Sequence, residues 1–333
     1  ILVCRTEQPL TDDMRRKLAL FCNVDRNSVI QALDVDSIYA VPLELQKEHA
    51  DTTVLKKLEL PSDHPINLNK WHQFLDKVRN PQYEVHIGLV GKYIELQDAY
   101  KSIHEAFIHG GAANNCKVVV EAIHSEYIDE HNVAQKLGHL HGVLVAPGFG
   151  NRGIEGKIEA IKYVRENGIP FFGICLGMQC AVIEFARNIL NMKGAHSTEM
   201  APDTAYPVID MMEEQKKIKN KGGTMRLGAY RCDLKENSLA LSLYKSEHIS
   251  ERHRHRYEFN NKYMEQFEKA GMIATGKNPD NGLVEIVEIP SHPYFIGVQF
   301  HPELKSTVYS PQPLFVGFVA AGLKYKESRK QTR

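Results

Sequence analysis

A cysteine flanked by two glycines is the residue of this sequence best placed to act as a nucleophile. Gly173, Cys175 and Gly177 lie between an apolar run, residues 169–174, and a helical pattern that starts at Leu176. The flanking glycines relieve crowding in a sharp strand-to-helix turn, which presents the nucleophile at the carboxyl edge of a sheet. There a helix N-terminus favours thiolate over thiol. The alternative is a small buried core residue, the commonest place of a free cysteine.

A histidine and a glutamate two positions apart, His301 and Glu303, follow the strand-like run 294–300. In an extended chain both side chains leave the same face. The carboxylate can then fix the imidazole tautomer while the other ring nitrogen takes a thiol proton. Alone, such a triplet is more often a strand terminus. Together with the upstream cysteine turn it predicts a Cys–His–Glu triad.

A glycine-containing loop, residues 146–150, follows the apolar strand 142–145. The amide of Gly148 can donate to a developing oxyanion, with the amide of Leu176 as the second donor. An ordinary turn is an equal alternative without the other two signals. The adjoining segment 150–156 places glycines around charged residues, so it is a candidate lid or else a passive surface loop.

Composition and charge exclude several classes of protein. Lys+Arg and Asp+Glu both number 41, so no net charge attracts the chain to nucleic acid or to a membrane surface. No apolar run approaches the roughly 20 residues that span a bilayer, and the N-terminus has no export signal. The 6 scattered cysteines favour a reduced cytoplasmic protein without a structural zinc. The initial Ile1, inside an apolar run, suggests a piece of a longer chain.

Alternating apolar strands and helices from residue 84 onward predict an α/β fold with a mainly parallel central sheet and helices on both faces. The expected helices of this region cover 97–109, 156–166, 176–189 and 314–324. Before it, a helix over 11–21 begins at the capping residue Thr11. The charged segment 210–223 is expected to be an exposed loop.

Four regions follow from these patterns. We expect a small N-terminal α/β remnant over 1–59, a locally packed linker over 60–83, the main domain over 84–327 and a basic tail over 328–333.

The cysteine turn, the HPE triplet and the glycine loop, in this order, resemble the class I (triad) glutamine amidotransferases, whose fold is flavodoxin-like. Longer segments resemble the CTP synthase family across essentially the whole chain, among them GLVGKYIELQDAYKSIHEA, GGTMRLGAY and ERHRHRYE. The resemblance implies a ligase of pyrimidine biosynthesis. Glutamine is hydrolysed to glutamate and ammonia through a glutamyl thioester, and the ammonia serves the ATP-dependent amination of UTP to CTP.

The resemblance also implies binding residues. Those that match the glutamine site are Gly148, Leu176, Gly177, Met178, Gln179, Glu199, Arg256 and Tyr257. An amino-acid substrate offers an ammonium to a carboxylate such as that of Glu199, and a carboxylate to a guanidinium such as that of Arg256. Those that match a nucleotide site are Lys17 for UTP or CTP, and Leu33, Asp34 and Val35 for ATP.

The resemblance implies no cofactor for glutamine hydrolysis and no metal within this chain. ATP and Mg²⁺ are implied for the whole enzyme, with GTP as an allosteric activator. The implied partners are L-glutamine, UTP and ATP, with a homotetramer and filaments, and without nucleic acid or membrane.

Two departures from the family pattern affect these expectations. Pro147 stands where the family has glycine in the oxyanion loop, and no glycine-rich phosphate loop or acidic magnesium ligands occur in the sequence. We therefore expect weak glutamine hydrolysis and no CTP from this chain alone. The alternatives are a glutaminase for another acceptor, a γ-glutamyl hydrolase, or a catalytically quiet assembly domain.

Overall fold

The chain consists of two units in the computed structural model, Ile1–Arg79 and Asn80–Arg333. The structure describes residues 1–63, 66–211 and 225–331. Of the expected charged loop 210–223, residues 210 and 211 end a strand and the remainder lies outside the described residues.

The first unit joins two parallel strands to four helices. The strands are β1 (Leu2–Thr6) and β2 (Val29–Leu33), and the helices are α1 (Asp12–Phe21), α2 (Val41–Lys47), α3 (Ala50–Lys57) and α4 (Asn69–Arg79). The Thr11 hydroxyl accepts a hydrogen bond from the amide of Met14, as the capping prediction requires. Helix α4 lies inside the predicted linker, where the Trp71 indole donates to the Tyr39 carbonyl at 2.6 Å.

The strands of the second unit are β3 (Tyr83–Gly91), β4 (Cys116–His124), β5 (Gly142–Val145), β6 (Phe171–Ile174), β7 (His196–Ser197), β8 (Pro207–Met211), β9 (Arg226–Leu234), β10 (His248–His255), β11 (Tyr257–Phe259), β12 (Ile273–Lys277), β13 (Val284–Glu288) and β14 (Phe295–Val298). Among the described residues, nine of them form one sheet in the order β10-β9-β12-β13-β14-β6-β5-β3-β4. The neighbours from β14 to β4 are parallel, and those from β10 to β14 are antiparallel. A small second sheet has the order β11-β8-β7.

Helices cover both faces of the large sheet. Among the described residues of the second unit, the helices are α5 (Lys101–Ala113), α6 (Val133–Leu137), α7 (Ile154–Glu166), α8 (Leu176–Asn188), α9 (Leu239–Tyr244), α10 (Met264–Ala270) and α11 (Pro313–Gln331). On β5, Val143 and Val145 join the core cluster that contains α7 and α8, whereas Leu144 joins the cluster that contains α5 and α11. This alternation is that of a strand buried on both faces. The predicted α/β fold with a mainly parallel sheet is confirmed, but its antiparallel extension was not predicted.

Some element bounds differ from the sequence predictions. The helix expected over 97–109 begins as a 3₁₀ helix, Gln97–Tyr100, and continues as α5. Helix α11 extends to Gln331, so most of the predicted basic tail is helical. In the part of the chain that the structure describes, the remaining 3₁₀ helices are Arg26–Ser28, Ile38–Ala40, Ser125–Tyr127, Asn261–Tyr263 and Pro302–Lys305.

Candidate active site

The turn between β6 and α8 holds Cys175 in a strained conformation. Its φ is 52° and its ψ is −102°, a region that side-chain-bearing residues rarely occupy. A Cβ on Gly173 would lie 2.8 Å from the Gly177 backbone, and one on Gly177 would lie 2.2 Å from the Val145 carbonyl oxygen. Both glycines are therefore required by close backbone packing. The turn buries Cys175 to 2% exposure at the N-terminus of α8.

The His301 imidazole contacts the Glu303 carboxylate directly, with 2.8 Å between Nδ1 and Oε1. The expected extended geometry is wrong, because Glu303 lies in the 3₁₀ helix Pro302–Lys305. The tight turn nevertheless brings the carboxylate under the ring. The amide of His301 donates to the Arg252 carbonyl at 2.7 Å, which fixes the turn to β10.

The protonation of His301 follows from its surroundings. Burial lowers the pKa of His301, but its interactions with Cys175 and then Glu303 outweigh burial and raise this pKa to about 10. At neutral pH the imidazole is therefore protonated and carries a positive charge beside the sulfur. A protonated imidazole next to a cysteine favours the thiolate, which is the nucleophilic form.

Two buried lysines hold the glycine-containing loop 146–150. Lys157, which is 0% exposed, donates to the Ala146 carbonyl at 2.8 Å. Lys92 donates to the Phe149 carbonyl at 2.8 Å. With these carbonyls engaged, the loop stays next to the cysteine turn, where a Cβ on Gly148 would lie 3.5 Å from the Leu176 side chain.

Cys175 lines a narrow pocket of about 30 Å³. Its lining contains five of the predicted glutamine-binding residues, Gly148, Gln179, Glu199, Arg256 and Tyr257. A volume of this size has room for about two water molecules.

Three predicted glutamine-binding residues lie behind this pocket. Leu176, Gly177 and Met178 form the first turn of α8 and are buried. The Met178 side chain belongs to the core, where a Cβ on Gly297 would lie 3.1 Å from it. Backbone groups of this turn are therefore what it can offer to a ligand.

A larger cavity of about 470 Å³ is also lined by Cys175. His301, Glu303 and Arg254 line it, together with Pro147. Cys175 thus lines both a small pocket, which contains predicted glutamine-binding residues, and a wider cavity, which contains the His301–Glu303 pair.

The predicted nucleotide-binding residues lie in the first unit. Lys17 is exposed on α1, and Leu33 ends β2. Asp34 pairs with the Arg5 guanidinium at 2.8 Å, and Val35 follows it. The role of these four residues in nucleotide binding stays a prediction.

The candidate lid 150–156 is only partly a loop. Helix α7 begins at Ile154, and a Cβ on Gly156 would lie 1.8 Å from the Ser125 carbonyl oxygen. Close packing therefore holds its second half in place. Arg152 pairs with Glu126 at 2.9 Å and lies over the Tyr93 ring.

Sequence reasoning missed a glutamine behind the nucleophile. The Gln299 side chain is 0% exposed and its Nε2 lies 3.7 Å from the Cys175 sulfur. A polar residue at the end of the apolar run 294–300 was the available signal.

Five buried ionisable side chains contact one another in a closed cycle, the ring, beside the narrow pocket. Its members are Arg226, His253, His255, Glu258 and Glu285. Its contacts are Arg226–Glu258 and Arg226–Glu285, both at 3.0 Å, and His253 Nδ1 to His255 Nε2 at 2.8 Å. His255 approaches Glu258 at 3.5 Å, and His253 approaches Glu285 at 3.6 Å. Because His255 also lines the pocket, the ring supports the strand end that carries the predicted glutamine-binding residues.

In the part of the chain that the structure describes, no group of three or more histidine, cysteine or acidic side chains could hold a metal ion. No described helix is long and apolar enough to cross a membrane.

Two family models match the chain. The model "Glutamine amidotransferase class-I" matches residues 95–321, and "CTP synthase N-terminus" matches residues 1–60. The CTP synthase of Christiangramia forsetii is 60% identical over 333 residues, which cover 100% of this chain and 61% of that protein. That of Flavobacterium johnsoniae is 61% identical over 323 residues, covering 97% and 60%. The chain thus spans about 61% of the length of these relatives.

A solved structure is also similar. The Trypanosoma brucei CTPS glutaminase domain with bound acivicin has a TM-score of 0.68 and 37% identity, and the match covers 72% of this chain and 94% of that domain.

Proposed function

The chain belongs to the CTP synthase family of class I glutamine amidotransferases, and from this membership we propose that Cys175, His301 and Glu303 hydrolyse glutamine. The observation that supports it most is the position of Cys175. Its strained turn presents the sulfur both to the pocket lined by Glu199 and Arg256 and to the cavity lined by the protonated His301.

Substrate recognition uses opposite charges at the narrow pocket. The Glu199 carboxylate binds the ammonium of glutamine, and the Arg256 guanidinium binds its carboxylate with two parallel hydrogen bonds. The side-chain amide then points to Cys175. The Glu199 carboxylate accepts a long hydrogen bond from the Gly150 amide at 3.4 Å, so substrate entry exchanges this contact for the stronger one to an ammonium.

The reaction proceeds through a covalent intermediate. The Cys175 thiolate attacks the amide carbon, and the amides of Gly148 and Leu176 bind the oxyanion. As the oxyanion collapses, the C–N bond breaks and His301 gives its proton to the leaving nitrogen, which departs as ammonia. Water then attacks the thioester and gives a proton to His301, which releases glutamate and restores the ion pair. Glu303 keeps the imidazole oriented in both halves.

The leaving nitrogen faces the larger cavity, because His301 lines that cavity and not the narrow pocket. We propose that ammonia leaves on this side and serves the amination of UTP to CTP, with ATP as the second nucleotide. The match to the CTP synthase N-terminus over residues 1–60 supports this acceptor.

Further properties of this chain are proposed from its family. We propose that GTP activates hydrolysis, that the chain works within a homotetramer able to form filaments, and that it resides in the cytoplasm. Six free cysteines, four of them buried, support a reducing compartment.

The test of this function is substitution and labelling of Cys175. Cys175→Ala should abolish glutamate release because it removes the nucleophile, while circular dichroism stays unchanged. A diazo-ketone analogue of glutamine should modify the wild type at Cys175, as read by peptide mass spectrometry. Cys22→Ala, which removes an exposed thiol of the first unit, is the matched control and should behave like the wild type. Persistent glutamate release from purified Cys175→Ala, or labelling elsewhere, contradicts the proposal.

A further inference from the structure

A buried carboxamide contacts the nucleophile from behind. Gln299 directly follows β14, and its backbone amide donates to the Glu285 carbonyl at 2.9 Å. The preceding residue, Val298, accepts a hydrogen bond from the amide of Cys175 at 2.7 Å. One strand therefore positions both the carboxamide and the cysteine, and Gln299 Nε2 lies 3.7 Å from the cysteine sulfur.

We infer that Gln299 is a positioning residue that orients the Cys175 thiolate by donating an N–H to its sulfur. The inference rests on the proposed glutamine hydrolysis, and it assigns a further contributor to that reaction.

The orientation of the Gln299 carboxamide follows from its neighbours. The Tyr257 carbonyl can only accept a hydrogen bond, so Gln179 must direct its Nε2 to it, at 2.9 Å. The same Nε2 lies 3.2 Å from Gln299 Oε1, which must then be the acceptor. With its oxygen engaged there, Gln299 turns its N–H groups to the sulfur. This series of hydrogen bonds, the relay, runs from the Tyr257 carbonyl to the Cys175 sulfur. It fixes the orientation of both carboxamides.

This relay has an electrostatic consequence. An N–H donor facing an ionised acceptor forms a charge-assisted hydrogen bond, which is stronger than the bond to the neutral form. Because Gln299 is 0% exposed and Gln179 is 3% exposed, little water competes for these groups. Gln299 therefore stabilises the thiolate and fixes its direction, while His301 contributes the positive charge. Gln179 also lines the narrow pocket, so the relay connects the substrate side to the sulfur.

The experiment measures alkylation of Cys175 by iodoacetamide, which needs no glutamine recognition. Gln299→Met keeps the length of the side chain and removes the donor. At neutral pH we expect alkylation of the Cys175 peptide to slow by about 10-fold to about 100-fold, as for loss of a hydrogen bond to a charged group. In glutamine hydrolysis the loss should fall mainly on kcat.

Gln312→Met is the matched control. Gln312 is 2% exposed and donates to the Tyr244 hydroxyl at 2.6 Å, so its substitution also removes buried amide hydrogen bonds. It should destabilise the protein but leave alkylation of Cys175 unchanged. Equal slowing in both variants, or a wild-type alkylation profile in Gln299→Met, overturns the inference.

Two further outcomes are distinguishable. If Gln299→Met does not fold, Gln299→Glu keeps the shape and puts an oxygen against the sulfur, so a wild-type alkylation rate there overturns the inference. If the wild type releases no glutamate, the proposed function fails, whereas the comparison of alkylation rates still tests Gln299.

Discussion

Three features determine the environment of Cys175, and each acts on a different property. Its backbone strain at φ 52° directs the side chain out of the turn, His301 supplies charge, and Gln299 lies within hydrogen-bonding distance of the sulfur. The strain lies in the turn between β6 and α8, whereas His301 and Gln299 both follow β14. The site is therefore as rigid as the sheet edge that joins them.

The triad residues could be proposed from the sequence because their types and order are restrictive, whereas Gln299 could not. An amide after an apolar strand has no chemical signature until the fold shows which atom it faces. The His301–Glu303 contact was expected, but through an extended chain. The 3₁₀ helix after His301 achieves it instead, because this turn brings the Glu303 oxygen to within 2.8 Å of the ring.

Glu303→Gln tests the electrostatic part of the triad. Loss of the negative charge lowers the pKa of His301 from about 10, so the imidazolium should be lost at lower pH. We expect kcat to fall by roughly 10²-fold or more, but less than in Cys175→Ala, since His301 remains. The alkaline fall of kcat/KM should move to lower pH, measured between about pH 6 and about pH 10.

The exposed Glu130→Gln is the control for this change and should keep the wild-type pH profile. An unchanged alkaline limit in Glu303→Gln would mean that the carboxylate does not set the charge of the imidazole.

At the scale of elements, the contact between α8 and β5 determines where the nucleophile lies. The two approach so closely at Gly177 that no side chain fits between them. The sequence predicted this turn, because glycines on both sides of a cysteine between strand and helix are typical of a nucleophile turn. The sequence did not predict the antiparallel part of the sheet, β10-β9-β12-β13. Short apolar strands have the same sequence pattern whether their neighbours are parallel or antiparallel.

Gly177→Ala tests this contact. Its Cβ would lie 2.2 Å from the Val145 carbonyl oxygen, a backbone atom that cannot rotate away. We expect the free energy of unfolding to fall by about 1–3 kcal/mol, as for overpacked cores, together with loss of glutamate release. Urea denaturation measures the first effect.

Gly148→Ala is the matched control for the stability measurement. Its Cβ would meet its nearest neighbour at 3.5 Å, an ordinary contact, so the free energy of unfolding should stay within about 0.5 kcal/mol. Equal stability of the two variants would show that the α8–β5 approach can relax.

At the scale of the whole molecule, the chain has no net charge, but several ionisable side chains are buried together inside the second unit. Residue types alone favour a solvated basic segment for the run HRHRY, residues 253–257. Strand β10 instead alternates strictly, with its arginines exposed and the histidines at 253 and 255 buried. A period of two was visible in the sequence. The sequence does not show which side chains contact these histidines, because Arg226, Glu258 and Glu285 come from other strands.

These buried groups determine how stability depends on pH. Burial lowers the pKa of His253 to about 3, so this residue contributes stability as pH rises from about 3 towards its unfolded value of about 6.5. Burial raises the pKa of Glu285 to about 7 and that of Glu258 to about 8. A carboxyl group with a raised pKa stabilises the fold below its unfolded pKa, and this contribution is lost as pH rises through the folded value. Stability should therefore be greatest at slightly acidic pH.

Glu285→Gln tests this account in the pH range where stability falls as pH rises. The amide keeps an acceptor for Arg226 but cannot lose a proton, and it removes the negative charge that helps to raise the pKa of Glu258. Between about pH 6 and about pH 9, the decline of the melting temperature should be shallower than in the wild type by about 2–4 °C, the equivalent of about 1 kcal/mol. Thermal unfolding followed by circular dichroism measures it. Glu265→Gln, an exposed partner of Lys269, should decline in parallel with the wild type. A parallel decline in Glu285→Gln would show that Glu285 does not cause the alkaline loss of stability.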